Sequence, residues 1–164
     1  MFLKNYTSDV PVDRTIARIE RTLITCRVSG IMKEYDAAGA VAAIVFRIPA
    51  ASSDLTVRLP VDEKSAIEAL WMDYADGEKL NAAGTALAWT SRKRKSKADF
   101  VEQGRRTAWK IMQDWVEVQM SMIQMRQAET LEVFLPYIWD TSSKTTVYGR
   151  VKSAGYQALI PERV

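Results

Sequence analysis

The chain has 164 residues, of which 48% are hydrophobic and 26% charged, and this composition predicts one globular domain that can bury a core of its own. It contains no histidine and one cysteine, which excludes Ser/His and Cys/His catalytic dyads and the usual tetrahedral zinc sites. The formal net charge is only +3, so a polyanionic ligand can be argued only from where the charges lie.

No membrane or secretory segment is expected. The longest apolar run, residues 37–46, is interrupted by Gly39 and is too short to cross a bilayer. The first residues, MFLKNYTSDVP, lack the apolar segment of a secretory signal. The apolar neighbours of Cys26 favour a buried strand thiol over a reactive nucleophile. We therefore expect a cytoplasmic protein.

The first predicted helix covers residues 10–26, with Ile16, Ile19 and Leu23 on one face and Asp13 as a cap. Three segments of period two follow, at 26–33, 41–48 and 55–59. Strict alternation predicts an inward face made of these side chains: Cys26, Val28, Met32, Ile44, Phe46, Ile48, Leu55, Val57 and Leu59.

The same alternation sends four cations, Arg27, Lys33, Arg47 and Arg58, to the outward face, and no acidic residue joins them there. A cationic sheet face of this kind can neutralise a phosphate backbone and release its counterions. The alternative is that these side chains protect an exposed sheet from edge-to-edge association and keep it soluble.

A second helix is predicted over residues 63–75, capped by Asp62, and a long loop over 76–97. The loop contains a basic cluster, Arg92, Lys93, Arg94 and Lys95, which is typical either of a solvated loop or of an auxiliary arm for a polyanion.

The pattern of residues 98–127 predicts a long amphipathic third helix. Its apolar surface is wider than one stripe, so the helix is expected to pack against several elements of the chain or against another chain. Its tryptophans are expected to anchor the core, and its methionines suit either core filling or an adaptable interface. The residues proposed for a partner interface are Trp109, Met120, Met122 and Ile123. Short helices are predicted to either side of Pro136 and near 145–155.

The predicted order is α-β-β-β-α-α, which indicates an α+β fold with a three-stranded antiparallel meander packed on helices, in a single domain covering 1–164. The acidic group Asp73, Asp76 and Glu78 lacks the spacing of a calcium loop, and no glycine-rich phosphate loop is present. We therefore expect a protein that is not an enzyme and uses no metal or cofactor.

Several stretches are similar to small proteins encoded by bacteriophages, prophages and integrated mobile elements. They are VDRTIARIERTL (12–23), IMKEYDAAGAVAAIVFRI (31–48), VRLPVD (57–62), RRTAWKIMQDWVEVQMSMI (105–123) and EVFLPYIW (132–139). The resemblance implies a stand-alone cytoplasmic domain of a mobile element, and it implies no catalytic residue.

Two functions follow as hypotheses. The first is a nucleic-acid-binding accessory protein that contacts the phosphate backbone, of DNA or RNA, through the cationic sheet face and the basic loop. The second is a protein-interaction module, such as an inhibitor of a host defence protein or a homodimer formed through the Met/Trp helix.

Overall fold

The computed structural model describes residues 3–50, 53–59, 61–84 and 94–159, and its element order confirms the predicted α+β fold. Helix α1 covers Val12–Thr25 and is followed by strands β1 (Gly30–Tyr35), β2 (Val41–Ile48) and β3 (Leu55–Arg58). Helix α2 covers Glu63–Gly84, and a 3₁₀ turn at Lys97–Phe100 leads into α3, Val101–Gln124. The remaining elements are α4 (Thr130–Phe134), a 3₁₀ turn (Leu135–Tyr137), β4 (Trp139–Asp140), β5 (Thr145–Thr146), α5 (Val147–Ser153) and a 3₁₀ turn (Gln157–Leu159).

The chain divides into two compact units, whose boundaries fall within α1, between β3 and α2, and within α3. One comprises Met1–Arg18 and Val61–Trp115, and the other Ile19–Pro60 and Val116–Val164. No helix in the described ranges combines the length and the apolarity needed to cross a bilayer.

In the first unit, α2 and the beginning of α3 pack closely. Gly104 of α3 lies against the backbone of Ile67, where an added Cβ would stand 2.9 Å from the Ile67 Cα. The carboxylate of Glu63 accepts a hydrogen bond of 2.7 Å from the indole Nε1 of the buried Trp109 and one of 3.0 Å from Arg105. These contacts fix α3 on the first turns of α2.

In the second unit, β1, β2 and β3 form an antiparallel meander in the predicted order. On its inner face Ile44, Phe46 and Val57 are fully buried, and Phe46 meets Phe134 edge-on with ring centroids 5.3 Å apart. The β4–β5 hairpin, which the sequence analysis did not predict, follows the edge of β3, where Val57 bridges to Ile138.

The prediction of a loop from residue 76 is wrong for its first part, because helix α2 continues to Gly84. Gly77 is disfavoured in a helix by about 1 kcal/mol. The strong helix formers on either side of it, such as Ala75 and Ala82, offset that cost. Of the rest of the predicted loop, residues 85–93 lie outside the described residues, and residues 94–96 lead without regular structure into the 3₁₀ turn that begins at Lys97.

Candidate functional site

Strand register decides which of the predicted cations share a face. Residues directly opposite each other in an antiparallel pair project to the same side of the sheet. Arg58 lies opposite Val45, and Arg47 lies opposite both Gly30 and Thr56, so these two arginines share the outer face as predicted.

The predicted alternation of β1 is wrong. Met32 lies opposite Val45, so it projects to the outer face and is 56% exposed, whereas Lys33 lies opposite Ile44 on the inner face. The Lys33 ammonium forms an ion pair of 2.9 Å with the carboxylate of Glu20 on α1. Its long apolar stem allows this, because the stem can cover the inner face while the charge reaches a polar partner.

Arg27 does not belong to the sheet at all. Helix α1 runs to Thr25, and Arg27 occupies the following turn with a positive φ of 61°. Cys26 is the first residue of that turn and is half-buried, rather than forming part of a strand as predicted. Burial raises the pKa of the Cys26 thiol, although a hydrogen bond from Gln124 acts in the opposite direction, so the thiol is not activated as a nucleophile.

Arg58 is largely neutralised. Its Nε and Nη2 both contact Oε2 of Glu34, at 3.0 and 2.9 Å, and its guanidinium lies 5.4 Å above the ring of Trp139. The expectation that no acidic residue lies on the outer face is therefore wrong, since Glu34 of β1 is there. The four predicted cations do not form one continuous cationic surface.

The remaining predicted residues are divided between exposed and buried positions. Arg94 and Lys95 are exposed, with the Lys95 ammonium 5.5 Å above the ring of Phe100, whereas Arg92 and Lys93 lie outside the described residues. Trp109 and Met120 are 0% and 3% exposed, which corrects their assignment to a partner interface, since they are already covered within the chain. Met122 and Ile123 are half-buried.

The outer face holds a groove of about 380 Å³ that lies across the sheet, with lining residues from β1, β2 and β3. Its size falls in the range of ligand pockets. Nearly half of its lining belongs to β1, and Trp139 and Thr141 of the β4–β5 region form its far side. The lining residues are Gly30, Ile31, Met32, Glu34, Val45, Arg47, Thr56, Trp139 and Thr141.

Arg47 is the one groove cation without a carboxylate partner in the described part of the chain. Its guanidinium lies across Gly30, with Nη2 and Nε 3.1 and 3.2 Å from where a Cβ would be, so a side chain at residue 30 would displace it. In this position the charge lies over β1 and is exposed.

Strand β1 is also an edge of the sheet. Among the described strands it pairs only with β2, whereas β3 has β2 on one side and the Ile138 bridge on the other. An edge strand presents unpaired backbone donors and acceptors to any extended chain beside it. Strand β1 therefore borders the groove on one side and presents an open edge on the other.

Arg47 was predicted from the sequence as a site residue, whereas Gly30, Met32, Glu34 and the hairpin that brings Trp139 to the groove were not. A run of turn formers after Trp139, DTSSK, was the available signal for that hairpin. No group of three or more His, Cys, Asp or Glu side chains in the described ranges is arranged to hold a metal ion.

Comparison with known proteins found no family model, curated protein or solved structure that matches this chain. The resemblance to phage and mobile-element proteins therefore stays a prediction.

Proposed function

We propose that this protein is a non-catalytic protein-interaction module that binds an extended polypeptide segment along β1. The observation that supports it is the groove beside an open edge strand, with one unpaired cation in it. Strand addition supplies affinity through backbone hydrogen bonds and specificity through side-chain pockets. The open edge of β1 offers the backbone groups, and the groove that β1 borders offers a pocket for side chains.

Charge favours a polypeptide over a polyanion. Within the groove region, Arg47 and Arg58 are opposed by Glu34, so the surface offers one net positive charge. One cation suits a single acidic side chain, whereas tracking a phosphate backbone requires several cations along the strand. Met32 on β1, which is 56% exposed, provides apolar contact for the bound segment.

The test uses fluorescein-labelled peptides of about eight residues, which is within the usual range of strand lengths, with alternating Thr and Val around a central Glu. A matched peptide has Lys at the centre, and another has Pro, which cannot donate to a ladder. We expect the Glu peptide to bind about fivefold more tightly than the Lys peptide, as one partly exposed ion pair would give. Arg47→Glu should reverse that order. Equal binding of the Pro peptide, or no binding of any peptide, would contradict the proposal.

A second candidate function is the binding of single-stranded nucleic acid. It is favoured by the position of Trp139 beside Arg47 and Arg58, since a base can stack on an indole while guanidinium groups contact phosphates. An oligo-dT of about 15 nucleotides, measured in the same anisotropy assay, separates the two functions. Under either function we propose a cytoplasmic setting, where a protein of phage origin would meet host or phage partners.

A further inference from the structure

An ion pair that is complete in itself bounds one part of the groove. Glu34 lines the groove, and its carboxylate extends across β2 to contact both Nε and Nη2 of Arg58, at 3.0 and 2.9 Å. Ala43 and Val45 of β2 lie between these two residues on the outer face and are only 1% and 5% exposed. This part of the outer face is therefore packed, and its two charges compensate each other.

The indole of Trp139 gives the groove an aromatic surface. The Arg58 guanidinium lies 5.4 Å above the ring of Trp139, and Trp139 lines the groove whereas Arg58 does not. The groove therefore meets the indole rather than the guanidinium. Met32 on β1 adds a thioether that is 56% exposed, and Val45 on β2 adds further apolar surface. Aromatic rings pack well on an indole, and a thioether makes favourable contacts with ring edges, so these walls favour an aromatic ligand.

Arg47 supplies the uncompensated charge of the groove. Its guanidinium occupies the space that the absent side chain of Gly30 leaves, and it has no carboxylate partner in the described part of the chain. A planar guanidinium binds a carboxylate through two parallel N–H···O bonds, which fix the orientation of the bound group. One cation matches one carboxylate, whereas a phosphate monoester carries about two negative charges at neutral pH. The charge of the groove therefore favours a monocarboxylate.

We infer that the groove binds a small aromatic monocarboxylic acid, with its carboxylate on Arg47 and its ring against Trp139. The volume of about 380 Å³ is near the lower end of the range for ligand sites, which suits a small ligand. Thr56 and Thr141 line the same groove, and their hydroxyls can donate to or accept from polar substituents on the ring. The inference goes beyond the proposed function, because this ligand needs no backbone pairing along β1 and shares only Arg47 with a bound segment.

Three probes of similar shape separate the charge of the ligand from its aromatic ring. They are phenylpropionate, its neutral amide and the saturated acid cyclohexylpropionate, each titrated with the protein in ligand-observed NMR. We expect phenylpropionate to bind with a Kd on the order of 0.1–1 mM, as is usual for a ligand of this size. The amide should bind about fivefold more weakly, because it lacks the charge that pairs with an exposed guanidinium. Cyclohexylpropionate should bind about threefold more weakly, because it cannot stack on the indole.

Substitutions assign each part of the ligand to one side chain. Arg47→Gln should make phenylpropionate and its amide bind equally while the preference for the aromatic ring stays. Gly30→Ala should also reduce the preference for the acid, because the added Cβ displaces the Arg47 guanidinium while its charge remains on the protein. Trp139→Leu should remove the preference for the ring and keep the preference for the acid. Arg94→Gln, at an exposed cation outside the sheet, is the control and should change neither preference.

The results that overturn this inference differ from those that overturn the proposed function. Equal binding of phenylpropionate and its amide by the wild type, or of phenylpropionate and cyclohexylpropionate, would overturn the inference. An unchanged preference for the acid in Arg47→Gln would do the same. Circular dichroism checks the fold of Trp139→Leu, and Met32→Ala, at an exposed position, tests the ring contact a second time. A protein that binds the Glu peptide and none of the three probes would lose this inference and keep the proposed function. Binding of the probes as expected, with no binding of any peptide, would have the opposite meaning.

Discussion

At the scale of single residues, Gly104 and Gly77 make a matched pair. Both are helical, but an added Cβ at Gly104 would stand 2.9 Å from the Cα of Ile67, whereas one at Gly77 would meet no atom within 4 Å. Gly104→Ala should therefore destabilise the protein by about 1–3 kcal/mol, the usual cost of forcing atoms into a packed contact. Gly77→Ala should stabilise it by about 0.5–1 kcal/mol, because alanine loses less backbone entropy in a helix.

Urea denaturation of both variants measures this difference. The sign matters more than the size, since helix propensity alone would make both substitutions stabilising. A stabilising Gly104→Ala would show that α2 and α3 can separate at that contact without cost, and it would contradict the close packing of Gly104 on Ile67.

At the scale of elements, the segment before α1 is held on α3 by polar contacts. Gln103 donates to the carbonyls of Tyr6 and Ser8, at 2.7 and 3.2 Å. Asp114 contacts the ammonium groups of Lys4 and Lys110 and the side-chain amide of Asn5. Burial raises the pKa of Asp114, but the hydrogen bonds from Lys110, Asn5 and Lys4 outweigh burial and hold that pKa well below its usual range.

The lowered pKa of Asp114 makes the free energy of unfolding depend on pH in acid. Because the folded state binds the Asp114 proton more weakly than the unfolded state, this contribution is fully present above the unfolded pKa, near pH 4, and is lost as the pH falls toward the folded pKa. Asp114→Asn should cost about 1–2 kcal/mol at neutral pH, since it removes charge-assisted hydrogen bonds. Its stability should also change less than that of the wild type below about pH 4. Denaturation curves at neutral and acidic pH measure both effects, and an equal acid response of the two proteins would contradict the assignment.

The elements themselves were largely predictable from the sequence, and the site was not. β3 alternates cleanly, and β2, although apolar on both faces at its centre, carries its one cation in phase with the outer face. The faces of both strands were therefore assigned correctly, as the opposed pairs Phe46 with Val57 and Arg47 with Thr56 confirm. β1 is an edge strand with weak alternation, and no local signal fixed whether Met32 or Lys33 faces inward. The outcome depends on tertiary contacts, above all the ion pair of Lys33 with Glu20. A strand shifted by one residue exchanges its faces, so one ambiguous strand was enough to alter the predicted surface.

At the scale of the whole molecule, the charges are many but dispersed. The chain has 23 basic and 20 acidic residues, and several of the cations proposed for phosphate contact already have partners. Lys33 is bound to Glu20 and Arg58 to Glu34, which leaves Arg47 as the exposed cation of the groove. Non-specific affinity for nucleic acid grows with the number of phosphates neutralised and falls with salt in the same proportion.

The salt dependence of oligonucleotide binding therefore measures how many cations of the protein contact phosphates at the same time. If only Arg47 and Arg58 contact phosphates, a plot of log K against log salt for oligo-dT should have a slope of about −1.4, and binding at physiological salt should be no tighter than about 10⁻⁴ M. Arg47→Ala should halve the slope, whereas Lys33→Ala should leave it unchanged because Lys33 projects to the inner face. A slope of about −4 or steeper would require a continuous cationic surface and would favour nucleic acid over a polypeptide as the ligand of this protein.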